Sequence, residues 1–358
     1  MTIENSRHTE SHTWNEILSQ GEAWQLVLDG LRKSRALENI LQCGADKREW
    51  LFVGCGTSYY LAEAASISWT LLTGQRTRSL PASEILLFPD LLRAEAPNLQ
   101  AVVISRSGRT SEAVRAATVL RSELHIPTAG ITCAHNSELE SACDTSIVLR
   151  DADEQSTVMT RSFTSMLLSL QVLAARSRNN SRFVEALSAM VERFAPRIAA
   201  LADQMEEFVA SHSFDDFVFL GQGPFHGIAR EAALKVMEMS CSYSQVFHAL
   251  EFRHGPKAIV SEKTCLTFFL SDSGGKAETE VLEEMKTLGG VIVSVCNHAN
   301  AEVRRSSDLV MEIGLDGNEL VRLAPSVVPC QLFGYFTGLK KGLNPDQPKN
   351  LTRVVLLQ

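Results

Sequence analysis

Three stretches of the chain bring together side chains that can do chemistry. In Ser105-Arg-Ser-Gly-Arg-Thr110-Ser111, hydroxyls surround a glycine between a buried apolar run and a helical pattern. Hydroxyls, approachable backbone N–H groups and a helix N-terminus form an anion cradle that needs no lysine. A phosphate suits many converging donors better than a carboxylate does. The same residues also serve as ordinary helix caps, and the local sequence leaves those two readings level. Thr57 and Ser58, after the Gly54-x-Gly56 turn, stand beside this loop if their strands are neighbours. The turn lacks the third glycine of a dinucleotide fingerprint, which disfavours NAD.

The second stretch is Arg230-Glu-Ala-Ala-Leu-Lys-Val-Met-Glu238, where Glu231, Lys235 and Glu238 share one helix face. Such spacing usually makes a solvated ion-pair face. Here the flanking methionines suggest partial burial of Glu238, and a half-buried carboxylate beside a lysine suits proton transfer. The third is Leu250-Glu-Phe-Arg-His-Gly-Pro256, which sets His254 in a loop among charges.

These groups need elements to position them, and the chain supplies the elements twice. Trp50-Leu-Phe-Val-Gly-Cys-Gly-Thr-Ser58 recurs as Phe217-Val-Phe-Leu-Gly-Gln-Gly-Pro-Phe225, and Ala101-Val-Val-Ile-Ser-Arg-Ser-Gly108 as Thr267-Phe-Phe-Leu-Ser-Asp-Ser-Gly274. Two further strands, 129–133 and 144–149, recur at 291–296 and 308–313. The four landmarks keep an offset of 163 to 167 residues, which marks a tandem duplication. Short apolar strands alternating with helices predict an α/β fold with a parallel sheet covered on both faces. Ligands of such sheets bind at the carboxyl ends of the strands. The predicted divisions are an N-terminal helical segment (1–35), a first domain (36–195), a second domain (196–340) and a tail (341–358). The segment from Met159 to about Gln204 reads as long helices, and the Pro/Asn-rich tail as an extended surface segment.

The composition narrows the function. Lys and Arg total 34 against 42 Asp and Glu, a net charge of −8, which argues against broad capture of nucleic acid or an anionic membrane. The eight cysteines form no C-x-x-C pair and several lie in apolar runs, as buried reduced thiols of a cytoplasmic protein do. The polar N-terminus and the lack of a long apolar run signal neither export nor a membrane span.

The chain resembles the sugar isomerase (SIS) family in its tandem two-domain form. Gly54-Cys-Gly-Thr-Ser58, Ser105-x-Ser-Gly-x-Thr110, Thr160-Arg-Ser-Phe-Thr164, Ala233-Leu-Lys-x-x-Glu238, His254-Gly-Pro256 and the Asn344–Leu351 tail follow that family's order and spacing. The resemblance implies two SIS domains, each a flavodoxin-like three-layer αβα sandwich. It implies that Ser105, Ser107 and Thr110, with Thr57, Ser58, Arg106 and Thr157, hold a sugar phosphate. Glu238 would move a proton between C1 and C2, Lys235 would support it, and His254 would open the sugar ring from across a dimer interface. No cofactor and no metal is implied.

Two departures refine that expectation. Residue 2 is Thr2 and the first Gly-x-Gly already falls at residue 54, so the glutaminase of the synthase branch, with its N-terminal cysteine nucleophile, is not expected here. Arg353 stands at the family's near-terminal lysine and cannot form a Schiff base, so its role there would be electrostatic. The N-terminal helix and Leu250–Lys257 resemble the stand-alone amino-sugar-phosphate isomerase/deaminases. The expected function is conversion of a hexosamine 6-phosphate to a ketohexose 6-phosphate with ammonia release, in a cytoplasmic homodimer. Plain ketose/aldose phosphate isomerisation, fructosamine 6-phosphate deglycation, an isomerase subunit of a transaminase and a non-catalytic sensor are the alternatives.

Overall fold

The computed structural model describes residues 11–357. They fall into two compact units. One comprises Glu22–Glu154, Arg161–Ser188 and the residues from Thr352 onward; the other comprises residues up to Gly21, Gln155–Thr160 and Ala189–Leu351.

The first unit is built on strands β1 (Glu49–Gly54), β2 (Arg76–Pro81), β3 (Leu99–Ile104), β4 (Thr128–Thr132) and β5 (Thr145–Val148), all parallel, in the order β2-β1-β3-β4-β5. Every residue of β3 and β4 is buried, as a sheet covered on both faces requires. One face packs a cluster of Leu51, Val53, Leu99, Ala101 and Val103 against Ala113, Ala116, Leu120 and Leu139 from the covering helices. The helix Arg161–Ser177 is buried along nearly its whole length, and Trp24 reaches it with an indole N–H donated to the Thr164 hydroxyl at 2.8 Å.

The second unit repeats the plan with β6 (Asp216–Gly221), β7 (Ser244–Phe247), β8 (Thr264–Phe269), β9 (Val291–Cys296) and β10 (Leu309–Glu312). Its order, β10-β9-β8-β6-β7, is that of the first sheet read from the other edge. The expected α/β class with two tandem SIS-type, flavodoxin-like parallel sheets is therefore the observed one. The two edge strands β2 and β7 were not among the expected strands.

Each copy turns from its first strand into a 17-residue helix, Thr57–Thr73 or Pro224–Ser240. Both turns use glycine for the same reasons. A Cβ on Gly54 would lie 2.4 Å from the Ser58 backbone, and one on Gly221 would lie 2.5 Å from the Phe225 carbonyl oxygen. Gly56 and Gly223 sit at φ +53° and +52°, where other residues are strained.

In the second unit the helix Leu323–Lys340 lies on Pro224–Ser240 at glycine contacts. A Cβ on Gly338 would come within 2.3 Å of the Met239 carbonyl oxygen, and one on Gly334 within 2.7 Å of that of Lys235. This close approach seals one face of the helix that carries Lys235. The tail after Lys340 runs through turns, where an extended segment was expected, because Asp346 anchors it. Its carboxylate accepts from Ser11 Oγ at 3.1 Å and from the N–H and hydroxyl of Thr13 at 2.7 and 2.6 Å.

No helix among the described residues is long and apolar enough to cross a membrane. Five of the eight cysteines are buried, all eight are free, and burial pushes the thiols of Cys55, Cys143 and Cys296 up to about 12.

Candidate active site

In the first unit, β1 and β3 are neighbours, with Val53 beside Val103, so Thr57 and Ser58 emerge at the same sheet end as the Ser105–Thr110 loop. The loop is held by its carbonyls. The Arg106 carbonyl accepts from Cys133 N–H at 2.9 Å and from the Thr132 hydroxyl at 3.0 Å, and the Gly108 carbonyl from Leu139 N–H at 2.9 Å. Three of its N–H groups are also held within the fold: Ser105 N–H donates to the Ile131 carbonyl at 3.0 Å, Gly108 N–H to the Ser105 carbonyl at 3.1 Å and Arg109 N–H to Ser107 Oγ at 3.2 Å. Thr110 occupies the N-cap of the helix Ser111–Thr118 but makes no side-chain cap bond. Its hydroxyl instead lies 3.4 Å from Ser105 Oγ, and Ser107 Oγ accepts from Arg109 N–H at 3.2 Å. Simple helix capping therefore does not account for these hydroxyls.

Arg106 does not reach outward. Its guanidinium is buried against Glu154 at 3.4 Å, and Glu154 also accepts from the Ser162 hydroxyl. Arg353 lies in the same neighbourhood, donating to Asp153 Oδ1 at 2.9 Å and to the Glu154 carbonyl, while its own carbonyl accepts from Arg106 at 3.3 Å. The tail then passes the cradle: Ser111 N–H donates to the Val355 carbonyl at 3.2 Å, and Leu357 N–H to Ser111 Oγ at 3.1 Å.

In the second unit, Glu231, Lys235 and Glu238 lie on one helix face as expected, but not as a solvated one. Lys235 and Glu231 are fully buried, with Nζ 3.3 Å from Glu231 Oε1, and Nζ also donates to Glu238 Oε2. Burial alone would push the lysine pKa down; the two carboxylates outweigh it and hold the ammonium above its ordinary value. The Glu238 side chain keeps 18% of its surface open. Of the two flanking methionines, Met239 is buried, whereas Met237, expected to help bury Glu238, is 43% exposed.

His254 follows a short 3-10 turn (Glu251–Arg253) and is exposed, and its ring makes no hydrogen bond among the described residues. The turn is pinned from below. Glu284 accepts from Arg253 Nε and from Lys257 Nζ, each at 2.7 Å, and Lys257 foremost, then Arg253, holds its carboxyl below the usual range.

Thr157 is half-buried in the 155–160 segment, which is anchored by a buried carboxylate the sequence did not single out. Glu16 accepts from Ser156 N–H at 3.3 Å and also from Gln155 N–H and the Ser156 hydroxyl. Among the described residues, no group of His, Cys, Asp and Glu side chains is arranged to hold a metal ion.

The fold is thus a duplicated parallel α/β sandwich, with a hydroxyl-lined loop at a strand end of one copy and a Glu231–Lys235–Glu238 row on a helix of the other. The chain belongs to the SIS domain family, whose model matches residues 45–176 and 212–332. Among curated relatives it is 26% identical over 355 residues to a glutamine–fructose-6-phosphate aminotransferase of Pyrobaculum aerophilum, covering 96% of this chain and 57% of that protein. To the aminotransferase of Aquifex aeolicus it is 27% identical over 318 residues, covering 87% and 52%. The chain thus spans about half the length of the curated relatives it matches. Among solved structures, glucosamine-6-phosphate deaminase of Thermotoga maritima is similar at 28% identity and a TM-score of 0.74, covering 97% of this chain and 100% of that one. A tagatose-6-phosphate ketose/aldose isomerase of Escherichia coli shares the fold at a TM-score of 0.86 and 23% identity, covering 98% and 97%.

Proposed function

We propose that the protein is an amino-sugar-phosphate isomerase/deaminase, working as a cytoplasmic homodimer without a cofactor. The Ser105–Thr110 loop, with Thr57, Ser58 and Thr157, holds the phosphate of a hexosamine 6-phosphate. His254 opens the ring by moving a proton between the ring oxygen and the C1 hydroxyl. Glu238 takes the C2 proton and returns it to C1 while a proton passes from the amine to O1, which converts the aldose amine into a 2-imine with a C1 hydroxyl. Water adds to the imine and ammonia leaves, giving the ketohexose 6-phosphate. Lys235 stays protonated throughout, neutralises the developing enolamine charge and keeps Glu238 aimed.

The observation that carries this reading is the Glu231–Lys235–Glu238 row, buried at Glu231 and Lys235 and open at Glu238. A lysine desolvated between two carboxylates gives a proton shuttle a base of fixed position, which a non-catalytic sensor does not require. The similarity to a glucosamine-6-phosphate deaminase over the whole chain supports the same reaction. Glu238→Gln should lower turnover by about 10²–10⁴-fold while leaving sugar-phosphate affinity within a few-fold. Ammonia release from glucosamine and galactosamine 6-phosphates, with direct titration of binding, measures both; near-parental turnover removes Glu238 as the base.

The aminotransferase relatives favour a second reading, in which the same isomerase chemistry runs from fructose 6-phosphate and ammonia towards the amino sugar. Rates measured in both directions separate the two. Aldose–ketose exchange without ammonia, or ammonia-free turnover of a fructosamine 6-phosphate, would replace both with plain isomerisation or deglycation.

A further inference from the structure

The Ser-x-Ser-Gly turn occurs in both copies, and in the second it is already filled by the protein's own carboxylates. Ser271 N–H donates to Glu278 Oε2 at 2.7 Å, and Ser271 Oγ to the same oxygen at 3.1 Å. Asp272 N–H and Ser273 N–H converge on Glu319 Oε2 at 2.8 and 3.3 Å, and the Ser273 hydroxyl donates to Glu319 Oε1. Five donors of one strand-end turn thus close on carboxylate oxygens, the arrangement in which such a turn receives a phosphate.

Glu278 is an expensive plug. It is fully buried, its Oε1 has no hydrogen-bond partner, and burial, with Glu319 adding to it, pushes its carboxyl up to about 7. A buried carboxylate oxygen left without a partner calls for an explanation, and closing a donor-lined turn supplies one. Beside the turn lies an open cavity of about 560 Å³, lined by Ser271, Asp272, Lys276, Asn297, His298 and Asn300 among others. That volume is within the range of small-ligand sites.

We propose that the Ser271–Gly274 turn is a second phosphate cradle closed from within by Glu278 and Glu319, so that each chain holds one sugar phosphate and gains a second on loss of those carboxylates. This rests on the reading that the Ser105–Thr110 loop is the working cradle. Both carboxylates deny entry by satisfying the donors, and an ionised carboxylate also repels an incoming anion.

Equilibrium dialysis of labelled fructose 6-phosphate counts the sites. The parent protein is expected to bind one per chain, and Glu278→Ala/Glu319→Ala two per chain. Glu319→Ala alone, at a half-exposed position, is expected to fold and to show the second site more weakly. Adding Ser273→Asp to either variant should return the count to one. Two sites in the parent overturn the proposal, as does one site in folded Glu319→Ala and, where it folds, in the double variant. Blocking the first cradle with Ser107→Asp keeps the two readings apart. One site remaining in the triple variant supports the inference even if the parent binds none, an outcome that would instead sink the first-cradle reading. Inorganic phosphate as competitor, lowering both counts, ties the binding to the phosphate group.

Discussion

At the end of β3 the residue after the first serine is Arg106; at the end of β8 the corresponding residue is Asp272. The exchange of sign is carried into the surroundings. Arg106 turns inward onto Glu154, whereas Asp272 accepts from the buried Arg322, whose other nitrogen donates to the Leu315 carbonyl at 3.0 Å. Glu154 and Glu319 stand in equivalent places, each a few residues beyond the last strand of its sheet. In the first copy a guanidinium holds that carboxylate. In the second no arginine stands on the turn, and Glu319 settles on the turn's own donors. A buried ion pair contributes little net stability. The difference between the copies is one of position: Glu154 is held on Arg106, and Glu319 lies on its own turn's donors.

The largest expected effect comes from giving the first cradle what the second already has. Ser107→Asp places a carboxylate among the donors proposed to hold the phosphate, and like charges in contact cost several kcal/mol. Sugar-phosphate affinity should fall at least about 100-fold, read by titration. Unchanged affinity would mean that the phosphate sits elsewhere.

Next in size is the partner swap itself. Arg106→Ala releases Glu154, and affinity should fall about 10–100-fold, in line with truncating one member of a buried charge pair. If Arg106 acts by holding Glu154, Arg106→Ala/Glu154→Gln restores most of the affinity. If Arg106 touches the phosphate itself, the second substitution restores nothing. Thermal melting of both variants separates this from general destabilisation, because the double variant leaves no unpaired buried charge.

The parts of this comparison differ in how legible they are. The central strands announce themselves as unbroken apolar runs such as Leu99–Ile104, and the duplication is visible from their constant offset. The edge strands β2 and β7 are not visible. Arg76-Thr-Arg-Ser-Leu-Pro81 is half-exposed on an edge and carries two arginines, and Ser244–Phe247 is only four residues long. The cradle, Glu238 and His254 lie in local motifs and could be named. The depth of Lys235 could not, because it comes from a helix a hundred residues further on that docks through Gly334 and Gly338. Nor could the pairing of Arg106 with Glu154, since spacing along the chain does not show which charge a buried charge meets. The offset would have placed Asp272 opposite Arg106, and that change of sign was the available clue.

The smallest expected effect tests the plug without any ligand. The Glu278 carboxyl titrates near 7 in the folded protein against an ordinary 4.5, so between those values the folded chain binds a proton that the unfolded chain releases. Stability from this group is therefore greatest at the acid end of that window and declines as pH rises through it, reaching its low plateau above about 7. Glu278→Gln removes the titration. Its stability relative to the parent should improve by about 2–3 kcal/mol between pH 5 and pH 8, seen as a melting-midpoint difference that shifts by several degrees in the variant's favour. Glu112, at the equivalent place in the first copy, has neither Ser105 nor Thr110 as a hydrogen-bond partner. Glu112→Gln should show no such pH-dependent gain. An equal gain in both variants would mean that the shift reflects the overall acidity of the chain and not a carboxylate buried in a cradle.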